Sequence, residues 1–195
     1  MFPERIETDR LRLERLDESV DTLTFYRICS SDDGIDEVTA YMPWSPHETP
    51  KETDEFLESA RSRWEDRTGA DYAIYPRDGE DGAGDLAGVG GLDVDWDRRL
   101  GSLGTWLRKP FWGRGYSGER AAALLELAFE RLELEVVEVT HHVDNEKSCR
   151  AIEKYVDRHG GRKEGVLRNW ISHDDHVADE VRYTISREEW ARAEQ

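Results

Sequence analysis

The sequence predicts a mixed α+β fold centred on a strand, a glycine-rich turn and a helix, on three observations. Short runs alternate apolar and polar residues, as in Arg10-Leu11-Arg12-Leu13-Glu14-Arg15-Leu16, which is the period of a half-buried strand. Other segments repeat apolar residues every three or four positions, most clearly Ser117 to Leu132, where Ala122, Leu125, Ala128, Phe129 and Leu132 share one stripe. Finally, the strand-like Gly104-Thr105-Trp106-Leu107 runs through RKPFWGRGYSGER directly into that helix. No Ser/Pro linker or composition shift divides the 195 residues, so one domain over 1–195 is expected.

The elements follow in order. The strand at Arg10–Leu16 opens the sheet, and a helix is expected from Asp17 to Cys29, with Val20, Leu23 and Ile28 apolar and Asp17 or Ser19 as cap. SSDDG reads as a turn and Tyr41-Met42-Pro43-Trp44-Ser45-Pro46 as a proline-broken aromatic loop. Phe56, Leu57, Ala60 and Trp64 set a helix within Lys51 to Arg67. Asp71 to Tyr75 is a strand, the Gly-rich RDGEDGAGD a hairpin connection, and Leu86 to Leu92 the returning strand. After the central helix, Val136 to Thr140 is strand-like, and Asp144 to Ser148 supplies capping side chains for a helix carrying Ala151, Ile152, Tyr155 and Val156. Two further strands, the last through Val181–Ile185, are joined by the acidic loop SHDDHVADE, where His173 and His176 read as surface residues.

Hydrophobic residues at 37% and seven Trp support a packed core despite 36% charged residues. A formal net charge of -17 argues against direct nucleic-acid binding, which needs clustered cations to displace counterions from phosphates. The acidic residues are spread along the chain and the basic ones are mostly Arg, a pattern suited to a solvated surface at high salt, so a halophilic setting is expected. Cys29 and Cys149 make neither a disulfide framework nor metal-site spacing. MFPERIETDR lacks an apolar signal core and no run reaches bilayer length, so a cytoplasmic protein with no membrane partner is expected.

The central motif has a chemical reading. The first N–H groups of a helix lack intrahelical partners and carry the positive end of its dipole, which suits an anion such as phosphate. Gly113 and Gly115 permit left-handed backbone and close approach, and Arg114 adds a cation. The same Gly-x-Gly spacing also makes an ordinary tight turn, and both readings stand. A mononucleotide phosphate loop is excluded because no Lys-Ser or Lys-Thr follows Gly115. A dinucleotide fingerprint fits poorly, since Arg108-Lys109-Pro110 separates the strand from the first Gly and no early βαβ unit surrounds it.

LGTWLRKPFWGRGYSGERAAALLELAFERLEL, followed by a Val-rich strand and Asn145-Glu146-Lys147-Ser148, resembles the acetyl-CoA-binding half of the GNAT superfamily, and within it the RimJ/RimL-type N-acetyltransferases. Thr8-Asp9-Arg10-Leu11-Arg12-Leu13, Met42-Pro43-Trp44 and Gly88-Val89-Gly90-Gly91-Leu92 extend the resemblance over nearly the whole chain. It implies a mixed, mostly antiparallel central sheet flanked by helices, with acetyl-CoA as cosubstrate in a cleft between splayed central strands and no metal. Trp112-Gly113-Arg114-Gly115-Tyr116-Ser117 takes the place of the family's pyrophosphate loop, with Trp for Gln/Arg at its start and Ser for Gly/Ala at its end. The backbone of Trp106 and Leu107 would pair with the pantetheine arm.

The resemblance also carries Asn145 as a residue ordering the site and Ser148 as the acid that protonates the leaving thiolate, although both are equally good helix-capping types. The general base is not legible. Glu164-Gly165 is present, but Val166 to Ile171 supplies no carboxylate, which leaves ordered water, bulk solvent or an imidazole of His141 or His142. Val156 to Gly161 is longer than the family's usual link. Tyr41 and Trp44, with Met42 and His47 beside them, fall where the acceptor is bound, and Asp32, Asp33, Asp36 and Glu37 could attract an ammonium group.

The function expected is acetyl transfer to a primary amine, foremost a protein or peptide N-terminal α-amine. A small amine such as a polyamine, amino acid or antibiotic is the alternative within the same chemistry, and a non-catalytic acyl-CoA sensor the alternative outside it. Family members often dimerise, so a homodimer is among the expected states.

Overall fold

The computed structural model describes residues 1–172 and 176–194, so His173 lies outside the described residues. The alternating run becomes β2 (Leu11–Arg15), paired with a short strand ahead of it, β1 (Arg5–Glu7). The helix expected from Asp17 to Cys29 is two helices, α1 (Leu16–Ser19) and α2 (Thr22–Ser31). Val20 is extended between them (φ -115°, ψ 141°), and Asp21 rather than Asp17 or Ser19 caps α2 by accepting from Thr24 N at 2.9 Å. Asp17 is otherwise engaged, 2.7 Å from Arg15.

Of the expected turn SSDDG, Ser30 and Ser31 belong to α2; the turn proper ends in Gly34, whose left-handed φ of 80° starts an unforeseen helix, α3 (Ile35–Thr39). The aromatic loop follows, then α4 (Pro50–Glu65), β3 (Gly69–Pro76), β4 (Gly88–Asp95) and β5 (Leu100–Leu107). A 3-10 turn at Lys109–Phe111 and the glycine turn lead into α5 (Tyr116–Glu126), which relaxes into a π-helical turn over Leu127–Arg131. Then come β6 (Val136–His142), α6 (Glu146–Arg158), β7 (Arg162–Ser172) and β8 (Val177–Ser186). A last helix, α7 (Arg187–Ala193), was not expected, yet Ser186 and Glu189 form a reciprocal capping box at its start.

Among the described residues, eight strands form one sheet in the order β1-β2-β3-β4-β5-β6-β8-β7. Every neighbouring pair is antiparallel except β5 and β6. The sheet is covered on both faces. On one, α5 and α6 bury Leu124, Phe129 and Ile152 against Leu92, Leu103, Val137, Val139 and Tyr183. On the other, α1, α2 and α4 bury Leu16, Phe25 and Leu57 against Ala73, Val89 and Trp106. No helix among the described residues is long and apolar enough to cross a membrane.

Phe129 is fully buried in the π-helical turn, 5.5 Å between ring centroids from Trp190 of α7, and so ties the last helix to the core. Phe129→Ala should lower the free energy of unfolding by about 3–5 kcal/mol in a urea titration.

Candidate active site

The one parallel pair in the sheet is also its least complete. β5 and β6 are in register only from Leu100–Val136 to Leu103–Val139, although β5 continues to Leu107 and β6 to His142. Beyond that point each strand keeps its outer neighbour: β5 stays paired with β4 to Leu107–Gly88, and β6 with β8 to His142–Glu180. The two strands therefore part into a slot. Gly104 is exposed in mid-strand, and a Cβ placed there would meet nothing within 4 Å.

Ladder alternation sets which backbone groups face the slot. Arg108 N donates to Ala87 O at 2.8 Å, so the even-numbered residues of β5, Trp106 among them, turn their amides to β4. Thr105 and Leu107 turn theirs to the slot. Of the expected pair Trp106-Leu107, the backbone facing the slot is that of Leu107, and its carbonyl accepts from Trp112 Nε1 at 2.7 Å.

At the mouth of the slot the chain turns through Gly113 (φ 77°) and Gly115 (φ 81°) into α5. Both need left-handed backbone, and no side chain caps the helix, so the leading amides of Tyr116, Ser117 and Gly118 remain as donors. Trp112 is fixed by its bond to Leu107 O, and the Lys147 ammonium lies 4.2 Å from its ring centroid. Arg114 differs from the expectation: its guanidinium turns to the β3–β4 hairpin, donating to Asp81 O at 2.7 Å and pairing with Asp81 Oδ2 at 2.8 Å. Its place in the turn is thus kept by backbone. Tyr116 is fully buried, and its hydroxyl donates to Glu80 at 2.7 Å.

A network missed by sequence reasoning holds this turn. Glu119, in the first turn of α5, accepts from Thr8 Oγ1 at 2.6 Å and from Arg10 N at 2.8 Å, and pairs with the Arg10 guanidinium at 2.7 Å. Arg10 in turn donates to Arg114 O at 2.9 Å. Burial pushes the Glu119 carboxyl up, but the bonds from Thr8 and Arg10 outweigh it and hold its pKa below the ordinary value.

The opposite wall carries the start of α6. Asn145 Oδ1 accepts from Ser148 N at 3.1 Å, so Asn145 caps the helix, while the half-buried Ser148 hydroxyl has no hydrogen-bond partner among the described residues. At the end of β6 the two histidines face opposite ways. His141 is 5% exposed on the α5/α6 face, stacked on Tyr183 at 5.7 Å, with Nδ1 2.8 Å from His142 O. His142 Nδ1 accepts from Asp144 N at 3.1 Å, which places the proton of the neutral ring on Nε2.

The aromatic loop bridges the slot on the other face. The Trp44 ring meets Trp106 of β5 at 5.6 Å, and the Tyr41 ring meets His142 of β6 at 5.0 Å. His47 packs on Trp44 at 5.6 Å and its Nδ1 is 2.7 Å from Thr53 Oγ1; burial lowers its pKa. The acidic candidates are drawn into ion pairs: Asp32 holds Arg108 through two 2.7 Å bonds, and Glu37 pairs with Lys109 and lies 3.9 Å from Lys147. Glu164 is turned away, accepting from Thr184 at 2.5 Å. Another carboxylate sits closer to the loop. Glu180 of β8 stands opposite His142 in register on the face of Tyr41 and Trp106, is 8% exposed, and its carboxylate makes no ion pair or hydrogen bond among the described residues. No group of three or more His, Cys, Asp or Glu side chains among the described residues is arranged to hold a metal ion.

A parallel pair that splays, an uncapped helix start at its mouth and a second helix start facing it define an acyltransferase architecture. The chain belongs to the acetyltransferase (GNAT) domain family, whose model matches residues 10–155. Over 110 residues it is 33% identical to the "Putative ribosomal N-acetyltransferase YdaF" of Bacillus subtilis (strain 168), a match covering 55% of this chain and 57% of that one. The chain spans about half the length of the curated relatives it matches. The crystal structure of a "putative acetyltransferase from T. thermophilus" is 30% identical, with TM-score 0.76 over all of this chain and 97% of that one. The fold is shared too by a spermidine N-acetyltransferase from Vibrio cholerae solved with CoA and spermine, 18% identical, with TM-score 0.73 over 94% of this chain and 99% of that one.

The Glu119 network gives a signed pH prediction. A carboxyl whose folded pKa lies below its ordinary 4.5 adds stability that is complete above that pH and is lost as pH falls through the folded value. Glu119→Gln should cost about 1–2 kcal/mol at pH 7 in denaturant titrations, and the gap to wild type should close as the pH is lowered below about 4.

Proposed function

We propose that this GNAT acetyltransferase transfers the acetyl group of acetyl-CoA to a primary amine, foremost the N-terminal α-amine of a protein or peptide. The observation that carries the reading is the slot between β5 and β6, open at the end where the uncapped amides of α5 stand. Those amides suit the pyrophosphate, and the slot-facing backbone of Thr105 and Leu107 suits the amide-bearing arm. The 33% identity with a protein named for ribosomal N-acetylation supports a protein acceptor.

In the reaction the amine nitrogen attacks the thioester carbonyl carbon, the carbon–sulfur bond breaks, and the thiolate leaves. Ser148, with its hydroxyl uncommitted at the head of α6, donates a proton to that sulfur and regains one from the nitrogen as the amide forms, so the second proton of the amine ends on the CoA thiol. Glu180 is the acceptor of the proton that the ammonium must lose, directly or through water. Tyr41 and Trp44 present aromatic faces to the incoming cation.

A small amine is the second reading, favoured by one observation. A cavity of about 340 Å³ opens beside α2, lined by Phe25, Tyr75 and Leu86 with Asp21, Asp85 and Arg108, the last already paired with Asp32. That combination suits a compact ammonium compound.

Release of free CoA thiol, followed with panels of peptide N-termini and small amines, tests both readings. Ser148→Ala should cut turnover about 10-fold or more while leaving acetyl-CoA affinity within twofold. Gly115→Glu, which sets a carboxylate and a strained backbone (φ 81°) at the head of α5, should abolish donor binding and turnover alike. Turnover surviving Gly115→Glu would remove the cradle from the account. For Glu180→Gln, kcat should drop at neutral pH and recover as rising pH deprotonates the amine in solution; an unchanged pH profile would dismiss Glu180 as the base.

The net charge of -17 supports adaptation to high salt, in the cytoplasm, where counterions relieve self-repulsion. The melting temperature should then climb between about 0.1 and 2 M KCl, and a flat response would count against halophilic adaptation.

A further inference from the structure

On the α5/α6 face of the slot lies a buried cation that forms no ion pair among the described residues. Arg120, one turn into α5, is 1% exposed. Its Nε and Nη1 are buried without hydrogen-bond partners among the described residues. The side chain runs across Gly90 of β4: a Cβ on that glycine would stand 2.7 Å from Arg120 Cδ and 3.2 Å from Nε. Gly90 is in register with Thr105, one of the β5 residues beyond the last β5–β6 pair, so the guanidinium lies at the level where the sheet has parted.

It is not the one unmet group there. The Tyr155 hydroxyl of α6 is buried without a partner among the described residues, and its side chain packs on the first turn of α5, where a Cβ on Gly118 would stand 3.8 Å from Tyr155 Cβ. Across the slot, His141 Nε2 is likewise buried and unpartnered among the described residues. Its Nδ1 faces the carbonyl of His142 and must carry the ring proton, so Nε2 offers a lone pair. The parallel register that ends at Leu103–Val139 would put Thr105 level with His141, so Arg120 and His141 flank the parted strands. Guanidinium donors and a hydroxyl on one side with an acceptor on the other complement a secondary amide, whose oxygen accepts and whose N–H donates. Leaving buried donors unmet costs free energy, which a ligand filling the slot would recover on binding.

We propose that Arg120, with Tyr155, is a positioning residue that hydrogen-bonds the amide-bearing arm of the acyl donor within the slot, apart from the amides that hold its phosphates. The assignment rests on the acetyl-CoA reading above. Binding of acetyl-CoA and of adenosine 3',5'-diphosphate, which lacks the arm, separates the two. In Arg120→Met the Kd for acetyl-CoA should rise about 10-fold or more while that for the nucleotide stays within twofold. The apo melting temperature should hold or rise by roughly 2–4 °C, because an unpaired buried charge has been removed. Arg120→Lys should fall between. Tyr155→Phe, which keeps the ring and deletes the hydroxyl, should weaken acetyl-CoA about threefold without touching the nucleotide and stands if Arg120→Met fails to fold. Equal loss for both ligands, or acetyl-CoA affinity unchanged in both variants with a lower apo melting temperature, would overturn the assignment and leave Arg120 a structural residue. Wild type that binds the nucleotide but gains nothing from the arm would also overturn it, whereas wild type that binds neither ligand would overturn the acetyl-CoA reading itself.

Discussion

Everything proposed for the site depends on two neighbouring strands being held apart by their outer partners. β5 and β6 share four register pairs and then diverge, because β5 remains bonded to β4 and β6 to β8. Side chains on the two faces reinforce the separation. Trp106 is anchored among Phe25 and Trp44, with Phe25 stacked on it at 6.2 Å, while His141 is stacked on Tyr183 beneath α6. Closing the slot would require breaking one of these outer ladders or moving buried aromatic rings, and each costs more than the few backbone hydrogen bonds it would gain.

The slot acquires chemical sense from what stands at its mouth. Two parallel strands each run into a helix, so α5 and α6 start at the same end of the sheet and bring two helix N-termini together. The first is left uncapped by glycine, the second capped by Asn145 with Ser148 next to it. In a chain of net charge -17, cations gather here: Arg10, Arg108, Lys109, Arg114 and Lys147 all lie on the segments around the mouth. Each is matched to an acid, Arg10 to Glu119, Arg108 to Asp32, Lys109 and Lys147 to Glu37, and Arg114 to Asp81. A polyanionic ligand would meet a rim of neutralised pairs and draw its attraction from backbone amides.

How much of this was legible follows from range. The glycine turn could be read because its requirement is local: positive φ at Gly113 and Gly115, followed at once by a helix. The strands and the α5 stripe were legible by periodicity, and the resemblance supplied the sheet that periodicity could not. The break at Val20 was hidden because Asp21 is a good cap inside what looked like one helix, and α7 was hidden by its brevity. The Thr8–Arg10–Glu119 network joins residues 109 and 111 positions apart, for which no local signal exists. Arg114 was read as a cation for the cradle because it sits between the glycines, but the hairpin carboxylate of Asp81 competes for it. Arg120 gave no warning at all, since a charged residue inside an amphipathic helix ordinarily faces water, and only the missing side chain of Gly90 makes room for it. Glu180 was concealed within SHDDHVADE, read as a loop, of which Val177 onward is strand.

Hydrogen–deuterium exchange resolved along the chain, with and without saturating CoA, tests the slot most directly. Slower exchange over residues 104–118 and 140–149, with residues 69–76 unchanged, is the result predicted if the donor lies between the parted strands with its phosphates on the head of α5. Protection confined to residues 19–28 and 84–86 around the separate cavity, or none anywhere, would contradict it.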